Sequence, residues 1–290
     1  METQKLDEWL LELIRLTSCE LAPDVERALR AARDAEQGRA RSTLDWMLRN
    51  AQEAREASMP ICQDTGSLIF YIHHGPDLDQ EQMTQSFLRA VIKATERSLL
   101  RPNAVDPVSG KNTGNNLGVG APVLHFHPGL AVGKLSVRLM LKGGGSENCG
   151  VQYALPDGSL QAGRDLNGVK RCVLDAALRA QGFGCAPGTL GVGIGGDRMT
   201  SFQESKEQFF RPLDDVNTDP ILAAMEKELL ESINQLEIGP MGFGGQSTVL
   251  GVKMGVRHRV PASYFVSVSY MCWAYRRRCL QVENGQAVYL

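Results

Sequence analysis

A cysteine with polar neighbours, Cys62, lies in the octapeptide Met59–Gly66 of this 290-residue chain. Thiolate sulfur is a soft metal ligand, and an amide, a carboxylate and a hydroxyl follow it directly in Gln63, Asp64 and Thr65. A proline stiffens the approach to the cysteine, and a glycine permits a sharp turn at the exit. The segment therefore predicts a metal or substrate site rather than a core position.

Two further cysteines occupy loop or strand-end positions. Cys185 lies between glycine and proline residues that exclude a helix, and Cys272 follows a predicted strand. Three thiolates can hold an iron–sulfur cluster and leave one iron open as a Lewis acid for a hydroxyl or carboxylate oxygen. Thiolate also suits zinc, so the spacing alone leaves the metal open.

Five segments then occur in an order that is typical of one family. They are residues 60–66, 142–148, 191–196, 239–245 and 272–277. Together they resemble the class I, iron–sulfur-dependent fumarases and the related L-tartrate dehydratases, and they span most of the chain. The resemblance implies a 4Fe–4S hydro-lyase in which Cys62, Cys185 and Cys272 are the cluster ligands.

The implied reaction is the reversible hydration of fumarate to L-malate. Two alternatives stay open, an L-tartrate dehydratase alpha subunit and a non-catalytic metal-binding assembly subunit that uses the same cysteines. In the family the substrate is a small dicarboxylate bound at the open iron.

The resemblance also assigns substrate residues. Gln63 and Asp64 match positions beside the substrate, and Asp64 is the catalytic candidate that would support proton transfer. Arg101 matches a basic residue that grips a substrate carboxylate, for which an arginine fork is well suited. His258 matches a family histidine to within a residue or two. The simpler alternatives are an Asx turn at Asp64 and a solvated helix-end charge at Arg101.

Two glycine-rich runs have competing interpretations. In the run 143–145, the amides of Gly144 and Gly145 could approach an anion or a cluster sulfide, and we assign both residues to the substrate site; a tight turn is the alternative. The run 191–196 fits G-x-G-x-x-G, but no apolar strand is predicted before it, which disfavours a nucleotide site.

The resemblance covers only the N-terminal, or alpha, part of the longer family members. Their C-terminal domain supplies further catalytic groups, including the base. We therefore expect a separate beta subunit as the partner and an α2β2 assembly.

The predicted fold class is α+β, a mixed α and β single domain with a helical N-terminal region. The domain comprises residues 1–290 and its helical region residues 1–58. Periodicity and end signals predict helices at 5–58, 81–100, 165–181 and 220–236, and strands at 67–73, 123–126, 135–140, 248–254 and 264–271. We expect Gly182 to end the third of these helices and the strand 264–271 to be the last.

Composition narrows the class of protein. A net charge of -2 without a long basic run argues against nucleic-acid or membrane partners. No signal peptide or long apolar run is visible, so we expect a cytoplasmic location. The seven cysteines include no C-x-x-C pair and predict no disulfide framework. We expect ordinary thiols at Cys19, Cys149, Cys172 and Cys279, and a solvated basic run at 276–278. The alternatives are an approach of Cys149 to the cluster and a contact of the basic run with the beta subunit.

Overall fold

The computed structural model describes residues 3–290, which form two compact units. Unit 1 comprises residues 3–22, 49–144 and 276–290, and unit 2 comprises residues 23–48 and 145–275. Both combine helices with a mixed sheet, so the predicted α+β class is confirmed. The assignment of all 290 residues to one domain stays a prediction.

Helices fill the N-terminal region, as predicted. They are α1 (Thr3–Cys19), α2 (Pro23–Ala35) and α3 (Gly38–Ala57). The apolar stripe of α1 is buried through Leu6, Leu10, Leu13 and Ile14, because positions three and four apart share one helix face.

Unit 1 is a five-stranded sheet with α1 and α4 (Gln80–Glu96) against one face. Its strands are β1 (Ser67–His74), β2 (Val123–Pro128), β3 (Leu135–Lys142), β8 (Arg277–Glu283) and β9 (Gln286–Tyr289), in the spatial order β2-β1-β3-β8-β9. Leu68, Phe70 and Ile72 of β1 join the helices in the core, because alternate strand residues share a face. The segment 58–66, which carries Cys62, leads from α3 into β1, an inner strand of this sheet.

Unit 2 has a four-stranded sheet in the order β4-β7-β5-β6. Its strands are β4 (Val151–Ala154), β5 (Gly188–Gly195), β6 (Val249–Arg257) and β7 (Phe265–Met271); its helices include α5 (Gly144–Asn148), which begins at the unit boundary, α6 (Leu166–Ala180), α7 (Arg198–Glu207) and α8 (Pro220–Asn234). The predicted cap of α8 is confirmed, since the Asp219 side chain accepts hydrogen bonds from the first turn.

The glycine-rich run that resembles a nucleotide-binding loop is instead the buried strand β5. Its apolar side chains, Leu190, Val192 and Ile194, join α6 and α8 in the core. On the other face a Cβ at Gly191 or Gly193 would overlap carbonyl oxygens of α7. The glycines therefore permit close strand–helix packing, and the run is no phosphate-binding turn.

Two predictions about element ends are wrong. The left-handed residue after α6 is Gln181, with φ +44°, rather than Gly182. A Cβ at Gly182 would lie 2.8 Å from the Met241 carbonyl oxygen, so this glycine serves packing instead. Strand β7 is also not the last, because β8 and β9 follow it.

Within residues 3–290, no helix is long and apolar enough to cross a membrane.

Candidate functional site

Two hydrogen bonds fix the backbone of the turn that carries Cys62, which precedes β1 in unit 1. The Ile61 amide donates to the Ser18 carbonyl at 3.0 Å, and the Asn50 side chain donates to the Ile61 carbonyl at 2.8 Å. Cys62 itself is half-buried, and its thiol lies 3.7 Å from the Gln63 side-chain oxygen. The thiol is therefore accessible while its backbone is held.

Asp64 lies at the centre of a second set of contacts in unit 1. Its carboxylate accepts a hydrogen bond from the Gly144 amide at 2.7 Å, and its carbonyl accepts one from Arg276 Nη1 at 2.7 Å. A Cβ at Gly143 would lie 3.0 Å from the carboxylate oxygen and 3.4 Å from Arg276 Nη2. The glycine thus lets a carboxylate and a guanidinium approach the same stretch of backbone.

Arg276 was predicted to be part of a solvated basic run, and that prediction is wrong for this residue. Its side chain is 1% exposed, and its carbonyl accepts from the Leu141 amide at 3.1 Å. A buried guanidinium needs polar partners to offset desolvation, and the Asp64 carbonyl is one of them. Nothing near Arg276 in the sequence indicates this contact, which joins residues 212 positions apart.

The loop that carries Arg101 packs against the same turn. Thr65 Oγ1 accepts from the Arg101 amide and from the Asn103 side chain, each at 3.1 Å. Buried Asn116 holds this loop, because its side chain donates to the Arg101 carbonyl at 2.8 Å and accepts from the Asn103 amide at 2.6 Å. The structure therefore brings Arg101 together with the predicted turn, and it adds Asn116, which the sequence analysis missed.

The Arg101 side chain is exposed, with Nη1 3.5 Å from the Gln63 carbonyl. Gln63 is also exposed, and Asp64 is half-buried. The Asp64 carboxylate bonds to Gly144 rather than to its own Thr65–Gly66 turn, so the Asx-turn interpretation is wrong. One cation, one amide and one carboxylate thus line a solvent-accessible edge of unit 1.

In unit 2 the loops of Cys185 and Cys272 are adjacent. Cys185 has φ +56°, and its carbonyl accepts from the Trp273 amide at 3.1 Å. The Ala186 carbonyl accepts from the Met241 amide at 2.8 Å, which adds the 239–245 motif to the same place. The structure therefore brings two of the three predicted ligands together within this unit.

Tyr270, two residues before Cys272, lies with its ring against the Cys185 loop. A Cβ at Gly184 or Gly188, the residues that flank Cys185, would overlap its ring. Burial raises the pKa of Tyr270, and the sulfurs of Cys149, Cys272 and Cys185 raise it further. Cys149, predicted to be an ordinary thiol, is half-buried and donates to the Gly145 carbonyl at 3.5 Å.

The other thiols differ from this group. Burial raises the pKa of Cys19 to about 11 and that of Cys172 to about 12, as expected for inert core thiols. Burial also raises the pKa of Cys279. These three residues fit the prediction of ordinary thiols.

The predicted metal centre requires a distinction between an ion and a cluster. Across residues 3–290, no three His, Cys, Asp or Glu side chains form a group that could hold one metal ion. A cubane binds its thiolates on different irons, so its ligands stand further apart than those of a single ion. Cys185 and Cys272 offer thiolate donors, and the buried Tyr270 hydroxyl, which has no partner among residues 3–290, belongs to a ring that lies against the Cys185 loop; this chemistry fits a thiolate-bound cluster. Cys62 belongs to unit 1, and its ligand role stays a prediction.

The remaining predicted site residues are Gly144, Gly145 and His258. The Gly144 amide is already used by Asp64, and Gly145 is the next residue of α5. His258 follows β6 at the Gly195 end of the sheet. Since β5 spans roughly 23 Å, His258 lies at the opposite end of the unit 2 sheet from Cys185. The structure does not bring His258 together with the two cysteines.

Comparisons with known proteins match most of the chain. The family model described as Fumarate hydratase (Fumerase) matches residues 8–281. A protein of Geobacillus stearothermophilus, provisionally named a class I fumarate hydratase, is 45% identical over 285 residues, which are 97% of this chain and 55% of that protein. This chain thus spans about half the length of that relative.

Relatives of similar length carry a different name. The L(+)-tartrate dehydratase subunit alpha of Escherichia coli is 32% identical over 283 residues, which are 96% of this chain and 91% of that subunit. A protein of Methanocaldococcus jannaschii, provisionally named the same subunit, is 31% identical over 284 residues and is covered to 98%.

Proposed function

The chain belongs to the fumarate hydratase (Fumerase) family of hydro-lyases, and from this premise we propose that it is the alpha subunit of a two-subunit enzyme that hydrates fumarate reversibly to L-malate. The observation that carries the proposal is the adjacency, within unit 2, of the two loops that carry Cys185 and Cys272. The 45% identity to a relative named as a fumarate hydratase favours fumarate as the substrate.

A 4Fe–4S cluster is the proposed cofactor, held by Cys62, Cys185 and Cys272. When bound, it supplies an open iron that acts as a Lewis acid towards substrate oxygen. The remaining chemistry falls to side chains. Among those of this chain, Arg101 is exposed and carries the fork geometry that binds a carboxylate.

Asp64 is the proposed catalytic residue of this chain. A base supplied by the beta subunit would exchange a proton with substrate C3, and the Asp64 carboxylate would support this proton transfer. The Gly144 amide fixes one carboxylate oxygen, and buried Arg276 holds the Asp64 peptide, so the carboxylate keeps one orientation. Gln63 is exposed beside it, and its side-chain amide would donate to a substrate oxygen. A fixed geometry of this kind lowers the entropy cost of proton transfer.

A beta subunit is the proposed partner, in an α2β2 assembly. Two relatives of similar length are named alpha subunits, which implies a second chain in those proteins. Large apolar side chains surround the Cys185 loop: Phe183 is 79% exposed and Phe243 is 60% exposed. Their segments are in backbone contact, because a Cβ at Gly182 would lie 3.0 Å from Gly242. Exposed apolar side chains of this size are typical of a surface that a partner covers.

Binding measurements test the partner. Replacing Phe183 and Phe243 by serine should weaken the association with the beta subunit by roughly 10-fold or more. The matched control replaces Val108 and Val119 by serine, since both side chains are also exposed. Equal affinity of both double variants for the beta subunit would contradict this docking surface.

The function is tested by coexpression with the beta subunit, anaerobic reconstitution with iron and sulfide, and assays on L-malate and L-tartrate. We expect turnover of L-malate, and none by the isolated chain. The near-complete coverage of relatives named tartrate dehydratase alpha subunits supports one second candidate. Activity on L-tartrate without activity on L-malate would establish that candidate. A bound cluster without either activity would instead indicate an assembly subunit.

A further inference from the structure

The hydroxyl of Tyr270 is a buried polar group without a hydrogen-bond partner among the described residues. Tyr270 is the penultimate residue of β7, and it is 3% exposed. Buried hydroxyls are almost always paired in native structures. An unpaired one on a ring against the loop of a predicted cluster ligand therefore indicates a partner that the polypeptide itself does not supply.

The ring is held where its hydroxyl cannot swing away. Gly184 and Gly188 both lack the Cβ that would overlap the ring, so the Cys185 loop closes around Tyr270 on two sides. Tyr270 also pairs with Leu190 across β5 and β7, which fixes its backbone. A phenylalanine would fill this slot equally well without an unpaired oxygen, so packing alone does not explain the tyrosine.

Sulfur is the acceptor that the surroundings offer. Cys185 lies between the two glycines that contact the ring, and Cys272 follows Tyr270 by two residues. A neutral thiol is a weak acceptor, whereas an iron-bound thiolate or sulfide carries negative charge and accepts a stronger hydrogen bond. The missing partner of Tyr270 therefore has the chemistry of an occupied cluster site.

We propose that the Tyr270 hydroxyl donates a hydrogen bond to a sulfide of the bound cluster, beside Cys185 and Cys272. Tyr270 is then a positioning residue that raises the reduction potential of the cluster and protects it from oxidative loss. Hydrogen bonds to cluster sulfurs stabilise the more negative, reduced state, which is the physical basis of both effects. This inference rests on the proposed iron–sulfur function.

The test compares the reconstituted αβ enzyme with its Y270F variant. Y270F removes one oxygen and should leave the iron and sulfide content and the thermal midpoint near those of the parent enzyme. Its midpoint potential, from an anaerobic redox titration followed by electron paramagnetic resonance, should shift to a more negative value. The rate of cluster loss in air should rise several-fold, because a cluster with a more negative reduction potential is oxidised more easily.

The matched control is Y264F, which makes the same chemical change in the same unit. Tyr264 precedes β7 at the end of the sheet remote from Cys272, and its ring stacks under Arg259. We expect the potential and the rate of cluster loss to stay at the parent values in this variant.

A second measurement detects the proposed proton directly. In the parent enzyme, electron–nuclear double resonance of the reduced cluster should detect an exchangeable proton near sulfur that disappears in deuterium oxide, and Y270F should lack that one coupling. Parent enzyme that binds no cluster would overturn the proposed function and this inference together. Parent enzyme with a cluster but without this coupling, or Y270F with an unchanged potential, would overturn the Tyr270 inference alone.

Discussion

The Asp64 turn of unit 1 and the Cys185 loop of unit 2 are constrained by different kinds of contact. Polar bonds from distant residues hold Asp64, including those from Gly144 and Arg276. Close apolar packing of glycines around a tyrosine ring holds the Cys185 loop. The first arrangement fixes the orientation of a carboxylate, and the second fixes the backbone that carries a thiol. Mutations in the two regions should therefore fail in different ways.

The largest expected effect is the loss of the cluster when a ligand is removed. C185S or C272S in the αβ enzyme should abolish the iron–sulfur absorbance and reduce activity by roughly 100-fold or more. C172S is the control, since Cys172 is a fully buried thiol of α6. Retention of a full cluster in C185S would contradict the expectation that mutations in the two regions fail in different ways.

The Asp64 turn should show the opposite pattern. D64N keeps the shape of the side chain but removes its charge, so kcat should fall roughly 10²- to 10⁴-fold while the cluster remains. Iron and sulfide analysis beside steady-state kinetics separates these outcomes. If D64N loses the cluster as readily as C272S does, Asp64 is needed to retain the cluster. Mutations in the two regions then do not fail in different ways, and the comparison is wrong.

A smaller effect is expected from Gly143. In G143A the new Cβ would lie 3.0 Å from the Asp64 carboxylate, so the carboxylate must move. A displacement of well under 1 Å should reduce kcat by roughly 10-fold with little change in cluster content. G158A is the control, because nothing lies within 4 Å of a Cβ there and its backbone is ordinary. Equal kinetics of G143A and the parent enzyme would show that the close approach is unimportant.

Substrate binding in unit 1 should depend on a residue that touches no substrate. Asn116 is 4% exposed and bonds to both Arg101 and Asn103. N116A should lower the free energy of unfolding by about 1–3 kcal/mol and raise KM, because the Arg101 loop loses its anchor. Denaturant titration and malate kinetics measure the two effects. A destabilised variant with an unchanged KM would limit Asn116 to a structural role.

The smallest expected effect concerns acid stability in unit 2. Burial raises the pKa of Asp215, but hydrogen bonds from Arg211 and Lys253 outweigh it and hold the pKa below its ordinary value. A depressed folded pKa contributes stability above about pH 3.9, and this contribution is lost as the pH falls through the folded pKa. D215N should therefore be less stable than the parent chain at pH 7, by about 0.5–1.5 kcal/mol, and the gap should narrow in acid. A gap independent of pH would contradict this assignment.

Local signals predicted most elements. The helix Pro220–Asn234 carries its own start signal in Asp219 and Pro220, and its cap is as expected. Strand β8 was missed, because its charged residues resemble a solvated tip and only the pairing with β3 orders them. The sequence also placed Gly182 as the helix end, although backbone packing against Gly242 determines its position.

The candidate site was predictable where a motif contains the residue itself. Cys62, Gln63 and Asp64 are adjacent in sequence, and the structure shows Arg101 next to this turn. Arg276, Asn116 and Tyr270 were missed, because their importance comes from contacts that the tertiary fold creates. His258 was assigned by resemblance alone, and the sheet places it at the end remote from Cys185.

The most direct test of the account is iron and sulfide analysis of the anaerobically reconstituted αβ enzyme, with each of Cys62, Cys185 and Cys272 replaced in turn by serine. The account predicts about four irons and four sulfides per alpha chain in the parent enzyme, and loss of the intact cluster in each variant. A parent enzyme without iron, or three serine variants that all keep a full cluster, would contradict the central claim that these thiols hold the cofactor of a hydro-lyase.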